Sequence, residues 1–473
     1  MSSNDFFDAL RTVLLREIDG CTDLISVDRL SGGASMETYR LSVKVHGQEV
    51  PMCLRRGAGG VNRDTVSAVG LSAEALLMRL AKSHGVPEPE IYCELQPEDG
   101  VGVGFIMEWL DGETLGSRIV RSPDLEQVRD NLAEQCGQEL AKIHAIDVDS
   151  NNLQTHLPQL TPSEYVEQTW SRYRDWDTAQ PMIDFTGRWL NENLPPECQP
   201  RLVHNDFRNG NLMVDKTLGI SAVLDWETSH IGDPMRDLGW ICTNSWRFGN
   251  REMEVGGFGR LEDLIRGYEK QSGVKLDRSA IKFWEVFGSF WWSIGCLGMT
   301  DQYRSGPDAT VERPAIGRRS SECQVDCVNL LIPGPVDLVG PNDFARPTDM
   351  PRLDELLTSV KDFLHQDVME ATSGRTNFLS RVAGNSLDIV QREVRLGPAL
   401  AKRERADLES LLKKEGSLED LRWTLVHQLR DGSIPLDKPG LADYLRTAVV
   451  NQVAIDQPKY SGFVFAASSG NAQ

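Results

Sequence analysis

The stretch from Leu202 to Trp240 limits what this chain can be more than any other part of it. An apolar pair, Leu202-Val203, runs into His204-Asn205-Asp206, and Asn211 follows five places after that aspartate. A second apolar run, Ala222-Val223-Leu224, ends on Asp225-Trp226-Glu227, with Gly232-Asp233-Pro234-Met235-Arg236-Asp237 behind it. Short apolar runs of this kind read as buried strands, so each aspartate is delivered by a strand end. The set suits phosphoryl transfer. One carboxylate can face an attacking hydroxyl, while an amide and a second carboxylate hold Mg²⁺ against phosphate oxygens. Asn and Asp are common turn residues, so a lone His-x-Asp would say little. The second Asp at strand-end spacing and the Gly-Asp-Pro behind it make the set specific.

The spacing His204-x-Asp206-x-x-x-x-Asn211 is that of the protein-kinase catalytic loop, and Asp225 stands at the place of the metal-binding aspartate of the next strand. The glycine that follows that aspartate in protein kinases is replaced by Trp226-Glu227. The stretch resembles the aminoglycoside phosphotransferase and choline kinase superfamily, whose usual form is His-Gly-Asp-x-x-x-x-Asn followed by Asp-x-Glu. Asn205 departs from it, standing where Gly is usual. The resemblance implies an α+β, bilobal protein-kinase-like fold: a small antiparallel-sheet amino-terminal lobe over residues 1–110 and a mainly helical lobe over 111–340. It implies ATP and Mg²⁺ as cofactors. Asp206 then takes or orients the acceptor's proton, Asn211 and Asp225 hold the metal, and Arg208 touches the phosphoryl group or braces the loop. Asp233 and Asp237 brace the catalytic loop.

Upstream, residues 4–18 read as an amphipathic helix with Phe6, Phe7, Leu10, Val13, Leu14 and Ile18 on one side. Ser31-Gly32-Gly33-Ala34-Ser35 separates two strand-like runs. Glycines there would let backbone N–H groups approach phosphate oxygens, with Ser31 or Ser35 adding a donor. No Gly-Lys dipeptide occurs, which excludes a Walker A loop. The strand ending Leu54-Arg55-Arg56 offers Arg55 where protein kinases place a phosphate-gripping Lys, and the helical run from Leu71 offers Glu74 as its partner. Arginine keeps its charge and can grip phosphate bidentately. A Leu-Arg-Arg strand is associated with the branch of kinase-like proteins linked to acyl-CoA dehydrogenases. Gly104 to Gly112 resembles the strand and hinge between lobes, with adenine met by backbone around Glu108 to Leu110.

The net charge of −20 excludes a broad basic face for nucleic acid. Nine scattered cysteines without a Cys-x-x-Cys pair read as reduced packing residues of a cytoplasmic protein, with no zinc site. The first twenty residues lack a signal-peptide core. The most apolar run, Val286 to Thr300, is 15 residues and too short to span a membrane.

Helical patterns continue through 124–144, 165–194, 261–268, 280–299 and 316–331. His144 reads as a structural or capping residue. The run from Ala280 carries Phe283, Trp284, Phe287, Phe290, Trp291 and Trp292 and reads as a buried helix; the resemblance implies that this region lines the acceptor site, here as an apolar pocket. Arg318, Arg319, Glu322 and Asp326 read as a solvated or salt-bridged face. Five prolines between Pro333 and Pro351 mark a boundary. Leucine- and valine-rich periods follow, opened at one place by a Ser417/Asp420 capping pair. They are expected to form a four-helix-like accessory domain over 350–465, resembling small helical proteins found beside or fused to the acyl-CoA-linked kinases.

The leading expectation is an ATP-dependent kinase acting on a small-molecule hydroxyl, with a hydroxyacyl-CoA such as a 4-hydroxyacyl-CoA as acceptor. The readings weighed against it are an aminoglycoside-type or choline-like kinase and a nucleotide-binding pseudokinase regulating an acyl-CoA enzyme. Homo-oligomerisation and association with an acyl-CoA dehydrogenase are left open.

Overall fold

A computed structural model describes residues 3–30, 36–57, 69–306, 309–343 and 348–468. The Ser31, Gly32, Gly33 and Ser35 loop lies outside the described residues.

The first lobe is a five-stranded antiparallel sheet between two helices. α1 (Ser3–Glu17), β1 (Cys21–Arg29), β2 (Met36–Val45), β3 (Gln48–Gly57), α2 (Leu71–Ser83), β4 (Ile91–Glu94) and β5 (Gly104–Glu108) follow in order, with sheet order β1-β2-β3-β5-β4. α1 forms because Leu10, Val13 and Leu14 recur on one face, and that face packs on Leu41, Val43 and Leu54 of the sheet. β3 pairs with β5 so that Arg55 lies opposite Phe105 and Met52 opposite Glu108.

The second lobe is mostly helical: α3 (Gly116–Arg121), α4 (Glu126–His144), α5 (Pro162–Arg174) and α6 (Pro181–Glu192) lead into two short β-pairs. These join β6 (Arg201–Val203) to β9 (His230–Gly232), and β7 (Leu212–Asp215) to β8 (Gly219–Val223). α7 (Met235–Cys242), α8 (Leu261–Ser272), α9 (Arg278–Ser305), α10 (Glu312–Arg318) and α11 (Ser320–Leu331) complete it. α5 starts at a reciprocal cap in which Thr161 Oγ1 accepts from the Glu164 amide and Glu164 accepts from the Thr161 amide, with Pro162 at the first helical position. α7 and α9 cross closely at Gly239, where a Cβ would fall 2.5 Å from the Trp284 backbone carbon. Any larger residue there pushes the two helices apart.

The expected single helix over 316–331 is two helices meeting at Arg319. Of its charged residues Arg318 and Arg319 are exposed and salt-bridged, Arg318 to Glu393 at 2.8 Å, whereas the two carboxylates are buried. Glu322 and Asp326 are 3 % exposed, Asp326 accepts hydrogen bonds from Tyr460 (2.5 Å) and Asn244 (2.8 Å), and Arg319 pairs with Glu322 at 3.2 Å. The reason is the packing of later helices over α11. α12 (Leu353–Asp362), a wider turn over 363–368, α13 (Met369–Ala371), α14 (Gly374–Leu412), α15 (Leu418–Asp431), α16 (Leu441–Asp456) and α17 (Ser461–Ser468) form this last layer. Ser417 caps α15 as its spacing suggests, accepting from the Asp420 amide at 3.1 Å. Leu408, Leu421, Leu425, Leu445 and Val450 share one core with Met182 and Phe185 of α6 and Val325 and Val328 of α11. Arg430 Nε reaches Asp184 Oδ1 across the seam at 2.7 Å. Among the described residues no helix is long and apolar enough to cross a membrane, and all nine cysteines are free.

Candidate active site

The turn after β6 places Asp206. Asn205 adopts φ 71°, in the left-handed region where Gly is easiest and Asn is among the best-tolerated alternatives. That geometry explains both the glycine usual at this position and the asparagine found here. Asn205 is also tied down: Tyr165 donates its hydroxyl to Asn205 Oδ1 at 3.1 Å, and Asn205 Nδ2 donates to the Thr228 carbonyl at 3.1 Å. Beneath the turn, Asp237 accepts the His204 amide (2.8 Å) and the Asn205 amide (2.6 Å), and its Oδ2 lies 3.1 Å from His144 Nε2. Burial raises the Asp237 pKa, but the His144 bond, the charges around it and the amides outweigh that and hold it below the usual carboxylate range. His204 and His230 have the opposite fate: burial pushes both down, His230 to about 3, so they stay neutral.

Four donors converge on Asp206. Arg208 grips it as a fork, Nε to Oδ1 at 2.8 Å and Nη2 to Oδ2 at 3.0 Å. Trp240 Nε1 donates to Oδ1 at 2.8 Å, and Asn211 Nδ2 to Oδ2 at 2.6 Å. Asn211 is fixed in turn by its carbonyl, which accepts the Leu224 amide at 2.8 Å and so ties the loop to the segment between β8 and Asp225. Asp225 also has φ 71°.

Arg55 crosses from the first lobe to meet this set. It pairs with Glu74 at 3.0 Å, with Asp225 at 2.5 Å, and lies 3.8 Å from Glu227. Burial works against its charge, but Glu74, Asp225 and Glu227 outweigh it and hold the guanidinium above its ordinary range. Arg55, Glu74, Glu108, Leu110, Asn211 and Asp225 all line one cavity of about 610 Å³ between the lobes. Cys53, Met78, Met107, Met213 and Leu224 give that cavity an apolar wall of the kind a flat base occupies. Asn211 and Asp225 offer oxygen atoms, hard donors that suit Mg²⁺.

Residues 26–272 match the model of the phosphotransferase enzyme family. The chain belongs to that family. Residues 370–460 match a domain of unknown function, DUF6285. Two curated relatives carry acyl-CoA dehydrogenase names. Acyl-CoA dehydrogenase family member 10 of Mus musculus is 30% identical over 37% of this chain and 17% of its own length. Acyl-CoA dehydrogenase family member 11 of Homo sapiens is 25% identical over 62% of this chain and 39% of its own length. The chain thus spans well under half of either relative. Among solved structures, a putative aminoglycoside phosphotransferase from Ralstonia eutropha superposes with a TM-score of 0.54 at 22% identity, over 67% of this chain and 95% of that one.

Several residues around Asp206 carry no motif. Trp240 touches Asp206 directly, and the only hint in the sequence was its place one helical turn past Arg236 and Asp237. Around it lies an aromatic cluster: Trp240 meets Trp246 at 5.1 Å and Trp291 at 5.2 Å between centroids, and Trp246 meets Trp292 at 5.8 Å. The Arg208 guanidinium lies over Trp246 at 4.3 Å. Arg236 is fully buried among Trp240, Phe287, Trp291 and Tyr165.

Proposed function

We propose that this phosphotransferase moves the γ-phosphoryl group of ATP to the hydroxyl of a small molecule, and that the acceptor is a hydroxyacyl-CoA, a 4-hydroxyacyl-CoA foremost. The observation that carries the reading is that Arg55, Asn211 and Asp225 line one inter-lobe cavity while Asn211 Nδ2 holds Asp206 beside it at 2.6 Å. Residues 1–110 then serve as the nucleotide lobe, 111–340 as the catalytic and acceptor lobe, and 350–465 as a helical accessory layer.

In this reading Asp206 receives or orients the hydroxyl proton once Arg208 releases its fork. Arg208 is then free to meet the charge that develops on the transferred group. Arg55 and the Ser31, Gly32, Gly33 and Ser35 loop position the phosphates, with Glu74 holding Arg55 in place. The backbone at Glu108 and Leu110 meets adenine. Mg²⁺, bound by Asn211 and Asp225, would neutralise phosphate charge, and positioning supplies the rest because the transition state is loose.

Support for an acyl-CoA acceptor comes from the names of the curated relatives and from the indole-rich wall beside Asp206. An aminoglycoside is polycationic, and Arg208 and Arg236 would repel it. Choline suits the indoles but meets the same two cations. The nine free cysteines favour a reducing compartment, in keeping with a cytoplasmic enzyme. An acyl-CoA dehydrogenase is the partner class the relatives' names suggest.

The test is ADP release by the purified protein with ATP and Mg²⁺ against a 4-hydroxyacyl-CoA, an aminoglycoside panel and choline. Turnover with the thioester alone is expected. Nucleotide binding without turnover on any alcohol would point to a pseudokinase, and turnover on aminoglycosides alone would overturn the acyl-CoA acceptor.

A further inference from the structure

The loop that carries Asp206 rests on a short turn, Asn244–Trp246, and that turn is held from the carboxy-terminal helices. Trp246 supports the loop twice. Its carbonyl accepts Asn209 Nδ2 at 3.1 Å, and its ring lies 4.3 Å from the Arg208 guanidinium that forks onto Asp206. Trp246 also abuts Trp240, whose Nε1 donates to Asp206 Oδ1 at 2.8 Å. At the other end of the turn, Asn244 closes a ring of three hydrogen bonds. Asn244 Nδ2 donates to Asp326 Oδ1 of α11 at 2.8 Å and to the Tyr460 hydroxyl at 3.0 Å, and that hydroxyl donates to Asp326 Oδ2 at 2.5 Å. Ser461 Oγ reaches Asn244 Oδ1 at 3.4 Å. Asn329 Nδ2 donates to the Gly462 carbonyl at 3.0 Å and so fixes the start of α17 on α11.

Burying the Asp326 carboxylate costs free energy that an apolar side chain would not. Hydrocarbon alone joins the helical layer to α11 more cheaply, as Leu445 and Val328 do nearby. What the ring adds is direction. Each of its hydrogen bonds accepts a narrow range of distance and angle, so together they fix where Asn244, and with it Trp246, stands. Such placement matters most where rate comes from positioning, as in phosphoryl transfer. We propose that Tyr460 is a positioning residue for that transfer: through Asp326 and Asn244 it sets the turn that holds Arg208 and Asn209 against Asp206. The inference rests on the kinase reading above and gives the helical layer a part in it. Neither Tyr460 nor Asp326 lines the inter-lobe cavity, so the effect falls on the Asp206 loop and not on nucleotide contacts.

Tyr460→Phe removes one hydroxyl and keeps the ring. Arg430→Lys is the control, because it weakens the same layer at Asp184, away from the turn. Two readouts are taken on the full chain. Amide hydrogen exchange of residues 203–211 and 244–246 reports on the loop and the turn without any substrate. ADP release from ATP and Mg²⁺ with 4-hydroxypentanoyl-CoA reports on turnover. Tyr460→Phe is expected to speed exchange in both segments and to lower kcat roughly 3- to 30-fold at unchanged KM for ATP. Arg430→Lys is expected to lower Tm and leave exchange and kcat as they were. A third variant, Tyr460→Phe with Asp326→Leu, replaces both polar partners and removes the buried carboxylate, so Tm should recover, and the variant folds even where Tyr460→Phe alone does not. Its kcat should stay low, because the turn is still not pinned. Loop exchange unmoved by Tyr460→Phe, the same changes in Arg430→Lys, or a kcat that recovers along with Tm overturns the inference and leaves the kinase reading standing. Altered loop exchange in a protein whose wild type turns over no alcohol is the failure of the kinase reading instead, with the link from Tyr460 to the loop retained.

Discussion

Arg55 Nη2 lies 2.5 Å from Asp225 Oδ1, so the proposed phosphate grip and the proposed metal ligand neutralise each other across the lobes. Nucleotide and Mg²⁺ together would have to draw them apart, while Glu74 keeps its hold on Arg55 at 3.0 Å.

Replacing Arg55 therefore has two separable effects. Arg55→Met leaves the Glu74 carboxylate, 1 % exposed, buried without its cation. Breaking one side of a buried pair costs about 3–5 kcal/mol, and urea unfolding should show it. Arg55→Lys keeps a charge but not the fork that serves two carboxylates at once. Its expected result is a stable protein with a raised KM for ATP, read in initial-rate assays.

Asp206→Asn keeps the shape of the loop and removes the proton acceptor. A general base is worth about 10²–10⁴ in rate, so kcat should fall by that much while ADP affinity, measured by calorimetry, is retained. A loss confined to ADP binding would assign Asp206 to the nucleotide rather than to the hydroxyl.

Asn205 offers a test of why the turn takes the form it does. Asn205→Ala must hold φ near 71° without the Tyr165 and Thr228 hydrogen bonds. A cost of roughly 2–4 kcal/mol is expected from strain and lost bonds together. Asn205→Gly loses the same bonds but relaxes the backbone, so its urea midpoint should lie between those of wild type and Asn205→Ala.

The seam under α11 should make stability depend on pH. Burial pushes Asp326 up to about 7, against an unfolded carboxylate near 3.9. Between those values the folded state holds a proton the unfolded chain has released, so this group's contribution falls as pH rises from about 4 to 7 and is level above that. Asp326→Asn should flatten the stability profile in that window relative to wild type, measured as urea midpoints across pH 4–8.

The site was legible where chemistry demands a fixed spacing. Asp206, Asn211 and Asp225 announce themselves because the proposed shared ligands would set the loop and strand lengths between them, and Arg55 with Glu74 follows from a strand and the helix after it. Trp240, Arg236 and the Trp246–Trp292 contact were not legible, because an aromatic at helical spacing reads as core whether or not it also touches Asp206. The charges of α11 misled for a related reason. Glu322 and Asp326 look solvated on a helix of mixed composition, and only the later helices that cover them, with Tyr460 and Asn244 as partners, reveal the burial. The expected phosphate loop, residues 31–35, lies outside the described residues.

Because Leu421 and Leu445 share their apolar contacts with Phe185 and Val328, the carboxy-terminal helices form a floor under α6 and α11. Cutting the gene near Pro351 would strip that floor and invite aggregation. Dissecting the tail's role therefore calls for point changes at its polar contacts, such as Arg430 with Asp184, rather than truncation.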